Sequence, residues 1–268
     1  MRVRLIQPEP TPRPMDTSLK ARMAPHLGLL TIARIIEDAG HEVSVVNESL
    51  GRDVPSGDVD LVGISASVDV LSRAKALAIE YERLNIPVVV GGIGVSADPE
   101  TAQKLFDSIC IGPAEGHWPQ VLKDAEKGCL KPVYRTAPDF PGTELLPPSF
   151  RSVDTSGFLY SNVIAASRGC PFSCDFCYNS AVKNTCGYRH RTVLSVLDEI
   201  RSKATRHIMF IDDNFIGDPE FTRELLEEIR PLGLKWSAAV SANILDMPDI
   251  LDLMRETGCR SLFIGFES

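Results

Sequence analysis

The chain has 268 residues, enough for about two domains, and its 44% hydrophobic and 24% charged content is that of an ordinary globular protein. The formal net charge of −8 excludes a nucleic-acid surface, which needs a basic field. No window approaches the roughly 18 apolar residues of a transmembrane helix, and Pro8 interrupts the amino terminus before a signal sequence could form, so a soluble cytoplasmic protein is expected. Seven cysteines, an odd and mostly scattered set, fit a reducing compartment better than a disulfide framework.

Val3 to Ile6 reads as a first strand, and the Pro-rich stretch from Gln7 to Pro25 as a long loop. His26 to Gly40 carries apolar residues at 27, 30, 32, 35, 36 and 39, a helical stripe with a glycine stop. Strands follow at 41–46, 61–65, 87–90 and 108–111, and helices at 70–84, 99–106 and 117–127. Short β-branched runs alternating with helices predict a five-stranded parallel sheet, doubly wound, over residues 1–128. Its ligand should lie beyond the carboxyl ends of the strands. The residues there are small: Ser65 and Ser67, Gly91 and Gly92, and Gly112, with Glu115 nearby. Small residues let a large cofactor approach the backbone, although Gly and Ser end many α/β strands without one.

Residues 129–157 contain five prolines and little periodicity, which predicts a linker. A second α/β domain is expected over 158–268. After the β-branched run Asn162-Val163-Ile164, Cys170, Cys174 and Cys177 stand at C-x3-C-x2-C. Three thiolates can ligate three irons of a [4Fe-4S] cluster and leave the fourth open. Zinc would want a fourth ligand, for which Cys186 is the nearest candidate. Beyond this loop, helices are expected at 191–201, 220–229 and 248–256, with strands at 207–211, 235–240 and 261–266. Repeated βα units with polar groups at strand ends describe a TIM-like barrel. The chain ends directly after the fourth strand of that pattern, so it is expected to be a truncated barrel.

The cysteine spacing, with Phe176 before the last cysteine, resembles the signature of the radical S-adenosylmethionine (SAM) enzymes. The segments Pro25–Leu30, Asp60–Ser65, Val90–Gly92 and Gly112–Gly116 resemble in order and spacing the amino-terminal domain of the cobalamin-dependent members. The resemblance covers nearly the whole chain. It implies a Rossmann-like cobalamin domain followed by a partial barrel that holds a [4Fe-4S] cluster and SAM. One departure is the missing Asp-x-His-x-x-Gly that supplies a histidine to cobalt in many cobalamin proteins. His26, His41 and His117 read instead as surface or capping residues.

The resemblance further implies that Asp212, Asp213 and Asn214 take the place of the segment that receives the SAM amino group, unless they simply cap a turn, as Asp and Asn favour. Two adjacent acids repel, so one should need a cationic partner. Ser241 and Glu267 follow later strands at places where the family approaches SAM, and Arg189 and Arg191 resemble its Arg-x-Arg segment or else begin a helix. The implied chemistry is methyl transfer from methylcobalamin to an unactivated carbon of a small-molecule, lipid or tetrapyrrole substrate, with flavodoxin or ferredoxin as electron donor. Radical cyclisation by the same architecture and a non-catalytic cofactor-binding fragment remain alternatives.

Overall fold

The structure, a computed structural model, describes residues 1–10, 22–50, 54, 57–137, 139–142, 145–182 and 187–266. The chain divides into two compact units, the first made of Met1–Phe140 and Pro148–Leu159, the second of Pro141–Pro147 and Tyr160–Ser268.

In the first unit, β1 (Arg2–Gln7), β2 (Glu42–Asn47), β3 (Leu61–Ser65), β4 (Val88–Gly91), β5 (Ile109–Ile111) and β6 (Val133–Arg135) form one sheet in the order β2-β1-β3-β4-β5-β6. Every pairing is parallel. Helices α1 (Leu27–Asp38), α2 (Leu71–Arg83), the short α3 (Ile93–Ala97), α4 (Pro99–Leu105) and α5 (Trp118–Glu126) connect the strands. Central strands buried on both faces must be apolar throughout, and Leu5, Ile6, Leu61, Val62, Val89 and Val90 are all buried. Gly63 on β3 has no room for a side chain, because a Cβ would stand 2.8 Å from Leu5 Cδ2 and 3.0 Å from the buried ring of Trp118. The order of connection reverses between β1 and β3, which makes the gap between their carboxyl ends the switch point of the fold.

The sheet has six strands where five were expected. The sixth comes from the stretch read as a linker, where Val133 and Arg135 pair with Ile109 and Ile111. Residues 148–159 also belong to this unit. Ser149 and Ser152 donate to the two oxygens of Glu37 on α1, at 2.6 and 2.5 Å, and Ser152 O accepts from Val45 N at 3.2 Å. β2 is an outer strand whose free backbone groups need cover, and this segment supplies some of it.

The second unit contains β7 (Val163–Ile164), β8 (Ser167–Arg168), α6 (Tyr178–Ala181), β9 (Arg189–His190), α7 (Val193–Ser202), β10 (His207–Phe210), α8 (Pro219–Ile229), β11 (Lys235–Ser241), α9 (Pro248–Glu256) and β12 (Cys259–Gly265). Four strands form a parallel sheet in the order β12-β11-β10-β7, and β8 and β9 make a small antiparallel pair. Phe210, Phe215 and Trp236 meet in the core with ring centroids 4.8 to 5.6 Å apart, and Trp236 Nε1 donates to Thr257 O at 3.1 Å. Thr192 and Asp218 cap α7 and α8, each accepting a backbone N–H of its helix's first turn.

Candidate cluster and cofactor sites

Cys170, Cys174 and Cys177 lie on the loop between β8 and α6, all as free thiols. Cys174 is exposed and the other two are half-buried. Residues 172–176 are exposed throughout, Phe176 at 71%. Inside the loop, Cys174 O accepts from Cys177 N at 3.0 Å and from Ser180 Oγ at 2.8 Å. Burial pushes the Cys170 thiol pKa up, and hydrogen bonds from Phe172 N and the Asn214 amide oppose the shift. Among the described residues no three His, Cys, Asp or Glu side chains gather around a point that could hold one metal ion, so they present no formed zinc site. Cys186 lies outside the described residues. A donor set of three thiols fits a three-thiolate cluster.

The polar groups after β10 turn toward this loop. Asp212 is 4% exposed and accepts from Ser167 N at 2.5 Å, Ser167 Oγ at 2.6 Å and Ala166 N at 3.3 Å. Burial pushes its pKa up to about 6, against the opposing pull of those hydrogen bonds. Both Asp212 oxygens accept hydrogen bonds beneath the loop, where this side chain supports the loop's root. Asp213 is exposed and accepts from Gly169 N at 3.0 Å and from the Tyr178 hydroxyl. Backbone N–H groups and the Ser167 and Tyr178 hydroxyls thus donate to the two adjacent carboxylates.

Asn214 is buried, donating to Ser241 Oγ at 3.0 Å and accepting from Ser241 N at 3.2 Å, while its amide lies 4.0 Å from Cys170 Sγ. Ser241 in turn donates to Asn243 Oδ1. Asn214 and Ser241 are thus brought together beside the first cysteine, whereas Glu267 lies outside the described residues. Arg191 is buried at 3% exposure, which removes it from any open anion site. It pairs with Glu199 Oε2 at 2.5 Å and donates to Ala165 O at 3.3 Å, and its backbone N–H donates to Ala166 O at 2.9 Å.

In the first unit, Ser65 and Gly91 face each other across β3 and β4, and Ala66 N donates to Gly91 O at 2.8 Å. Gly92 follows at φ +108°, and Gly112, at φ +87°, donates its N–H to Ser96 Oγ at 3.2 Å. Ser67 donates to Asp69 at 2.5 Å, and Glu115 sits half-buried on the turn Ala114–Gly116. The six expected residues thus line the carboxyl edge of β3, β4 and β5. Gly92 is required by the protein itself, since a Cβ there would stand 2.7 Å from Ala66 O. Such a backbone-lined, side-chain-poor edge fits the approach of a large cofactor.

One histidine caps a helix as its sequence position suggests, and another is buried against expectation. His26 caps α1 through Nδ1, which accepts from Leu29 N at 3.2 Å, so Nε2 carries the proton that it shares with Ser65 Oγ at 3.2 Å across the switch point. His117 is buried rather than on the surface, with Nδ1 2.8 Å from Thr136 Oγ1, and burial pushes its pKa down to about 4. The unfolded chain binds a proton there below about pH 6.5 and the folded one does not. The first unit should accordingly lose up to about 3 kcal/mol as pH falls from about 6.5 to about 4. His117→Gln should flatten this part of the stability profile, followed by hydrogen exchange in β5 and β6. Identical pH profiles for both proteins would rule the assignment out.

The B12 binding domain model matches residues 21–122, and the Radical SAM superfamily model matches residues 164–268. Bacteriochlorophyllide d C-12(1)-methyltransferase of Chlorobaculum tepidum is 29% identical over 98% of this chain and 60% of its own length. Its C-8(2) counterpart from the same organism is 26% identical over 94% of the chain and 59% of its length. Hopanoid C-2 methylase of Rhodopseudomonas palustris is 28% identical over 95% of the chain and 50% of its length. The chain therefore spans half to three-fifths of these relatives. Among the described residues no helix is long and apolar enough to cross a membrane. The radical SAM match implies a [4Fe-4S] cluster and SAM, the B12 match implies cobalamin, and with one match over each unit the chain combines a B12 binding domain with a radical SAM domain.

Proposed function

We propose that the chain acts in a cobalamin-dependent radical SAM methyltransferase whose acceptor is an unactivated carbon of a lipid- or tetrapyrrole-type small molecule. The observation that carries the reading is the presence of both domain types on one chain, aligned along nearly its whole length with methyltransferases of bacteriochlorophyllides and hopanoids. The four parallel strands of the second unit, alternating with helices, support a partial TIM-like barrel, and a compartment such as the cytoplasm suits its oxygen-sensitive chemistry. When bound, the cluster supplies the electron that cleaves SAM and cobalamin carries the methyl group.

The residues divide the remaining tasks. Cys170, Cys174 and Cys177 would hold the cluster. Phe176 and Ser241 would contact SAM, with Asn214 orienting the Ser241 hydroxyl. The carboxyl edge formed by Ser65, Ser67, Gly91, Gly92, Gly112 and Glu115 would receive cobalamin. Overall, R–H, two SAM cations and two electrons from a flavodoxin- or ferredoxin-type donor give R–CH3, S-adenosylhomocysteine, 5′-deoxyadenosine and methionine. The substrate hydrogen ends on 5′-deoxyadenosine.

The test is anaerobic incubation of reconstituted, cobalamin-loaded protein with SAM, reductant and a bacteriochlorophyllide or hopanoid acceptor. Equal amounts of S-adenosylhomocysteine and 5′-deoxyadenosine are expected. 5′-Deoxyadenosine alone would replace methyl transfer with cyclisation or another C–H activation. Neither product from cluster-loaded protein would leave a cofactor-binding role only.

A further inference from the structure

We propose that Asp213 and Tyr178 form a latch that closes the cysteine loop on itself and sets the spacing of its three thiols. The inference deepens the cluster assignment and rests on it. One carboxylate reaches both ends of the loop: Oδ2 accepts from Gly169 N, immediately before Cys170, and Oδ1 accepts from the hydroxyl of Tyr178, immediately after Cys177.

The loop needs such a device. Residues 172–176 are exposed, so no core packing shapes them, and an unpacked segment keeps its conformational freedom unless its ends are tied. The base from which Asp213 reaches is itself fixed. Its neighbour Asp212 is pinned beneath Ala166 and Ser167, and Arg191 holds the carbonyls of Ala165 and Ala166. The adjacent acids thus have separate tasks, the buried one holding the root of the loop and the exposed one closing its mouth. Both latch bonds end on one carboxyl group, so a single side chain ties the two ends of the loop. Asp213 and Tyr178 are positioning residues, and the thiols remain the ligands.

The test uses wild type, Tyr178→Phe, Asp213→Ala and the double variant, all reconstituted anaerobically. Tyr178 is 54% exposed and Tyr178→Phe removes only its hydroxyl, so the apo fold should be unchanged by circular dichroism. Iron loss to a ferrous chelator should be about tenfold faster in Tyr178→Phe, the size expected of one charge-assisted hydrogen bond, and faster still in Asp213→Ala, which loses both latch bonds. The double variant should be no faster than Asp213→Ala, since both substitutions break the same bond. The reduced cluster should also give a broadened electron paramagnetic resonance signal.

Wild-type rates of iron loss in loaded variants would overturn the latch alone, and so would additive effects in the double variant. An Asp213→Ala protein that keeps its iron and loses only the SAM-induced change in g-values would overturn it in favour of an ammonium acceptor. A wild-type protein that assembles no cluster would instead overturn the reading beneath it.

Discussion

Cys174→Ala protein, reconstituted anaerobically with iron and sulfide, is expected to hold no [4Fe-4S] cluster while both units keep their fold. Three irons of such a cluster need three thiolates, and the loop offers only Cys170, Cys174 and Cys177. Cys174 is exposed, between residues that are also exposed, so trimming it to Ala removes no core contact. Function and stability therefore separate at this position. Iron and sulfide per chain should fall to background, and the reduced protein should lose its resonance signal with and without SAM. Cys129→Ala is the matched control, an exposed free thiol in the first unit whose loss should leave the iron content unchanged. The buried Cys110 is inert for another reason, because burial pushes its thiol pKa far up and keeps it protonated. A Cys174→Ala protein with wild-type iron and sulfide would reject the three-thiol assignment.

The regular elements were legible because each carries its cause locally. Strands of a doubly covered sheet must be apolar runs, so Leu61–Ser65 matched its expected span and Val88–Gly91 differed from it by one residue at each end. Gly40, at φ +81°, stops the stripe that begins after His26. β6 was missed because an outer three-residue strand among prolines needs only backbone pairing, and of its residues only Tyr134 is buried. The two-residue strands β8 and β9 have no period to detect.

The site divides in the same way. The cysteine motif is local, and the small residues at strand ends could be found from the strand positions. The partners of Asp212 and Asp213 lie 35 to 46 residues away, so no window of sequence shows that these acids grip the cysteine loop. Tyr178 acquires its task only through those long-range contacts, and Arg191 through its own to Ala165 and Ala166. The family resemblance drew attention to the end of β10, and the geometry shows which hydrogen bonds the side chains there make.

Gly92→Ala should destabilise the first unit by about 2 to 5 kcal/mol and abolish cobalamin retention. Gly92 sits at φ +108° and ψ −180°, a region open essentially to glycine alone, and forcing Ala into it costs about 1 to 3 kcal/mol. The new Cβ would also stand 2.7 Å from Ala66 O and 2.8 Å from Ala66 N. Ala66 cannot yield freely: its N–H donates to Gly91 O at 2.8 Å and its carbonyl accepts from Gly94 N at 2.9 Å. Moving it would sacrifice one or both bonds at about 1 kcal/mol each. Those bonds tie the loop after β3 to the loop after β4, so the damage falls on the edge assigned to cobalamin. Gly91→Ala is the comparison, because its φ is not positive and a Cβ there meets Cys110 Cβ at 3.3 Å, a contact that a small shift relieves. Hydrogen exchange over Leu61–Ser65 and Val88–Gly91 reads this unit without interference from the second, and cobalamin absorbance after desalting reads the site. The expected order of protection and of cobalamin retained is wild type, then Gly91→Ala, then Gly92→Ala. Wild-type protection in Gly92→Ala would show that the loop relaxes around the methyl group. Full protection with no cobalamin retained would show instead that the glycine serves the cofactor and not the fold.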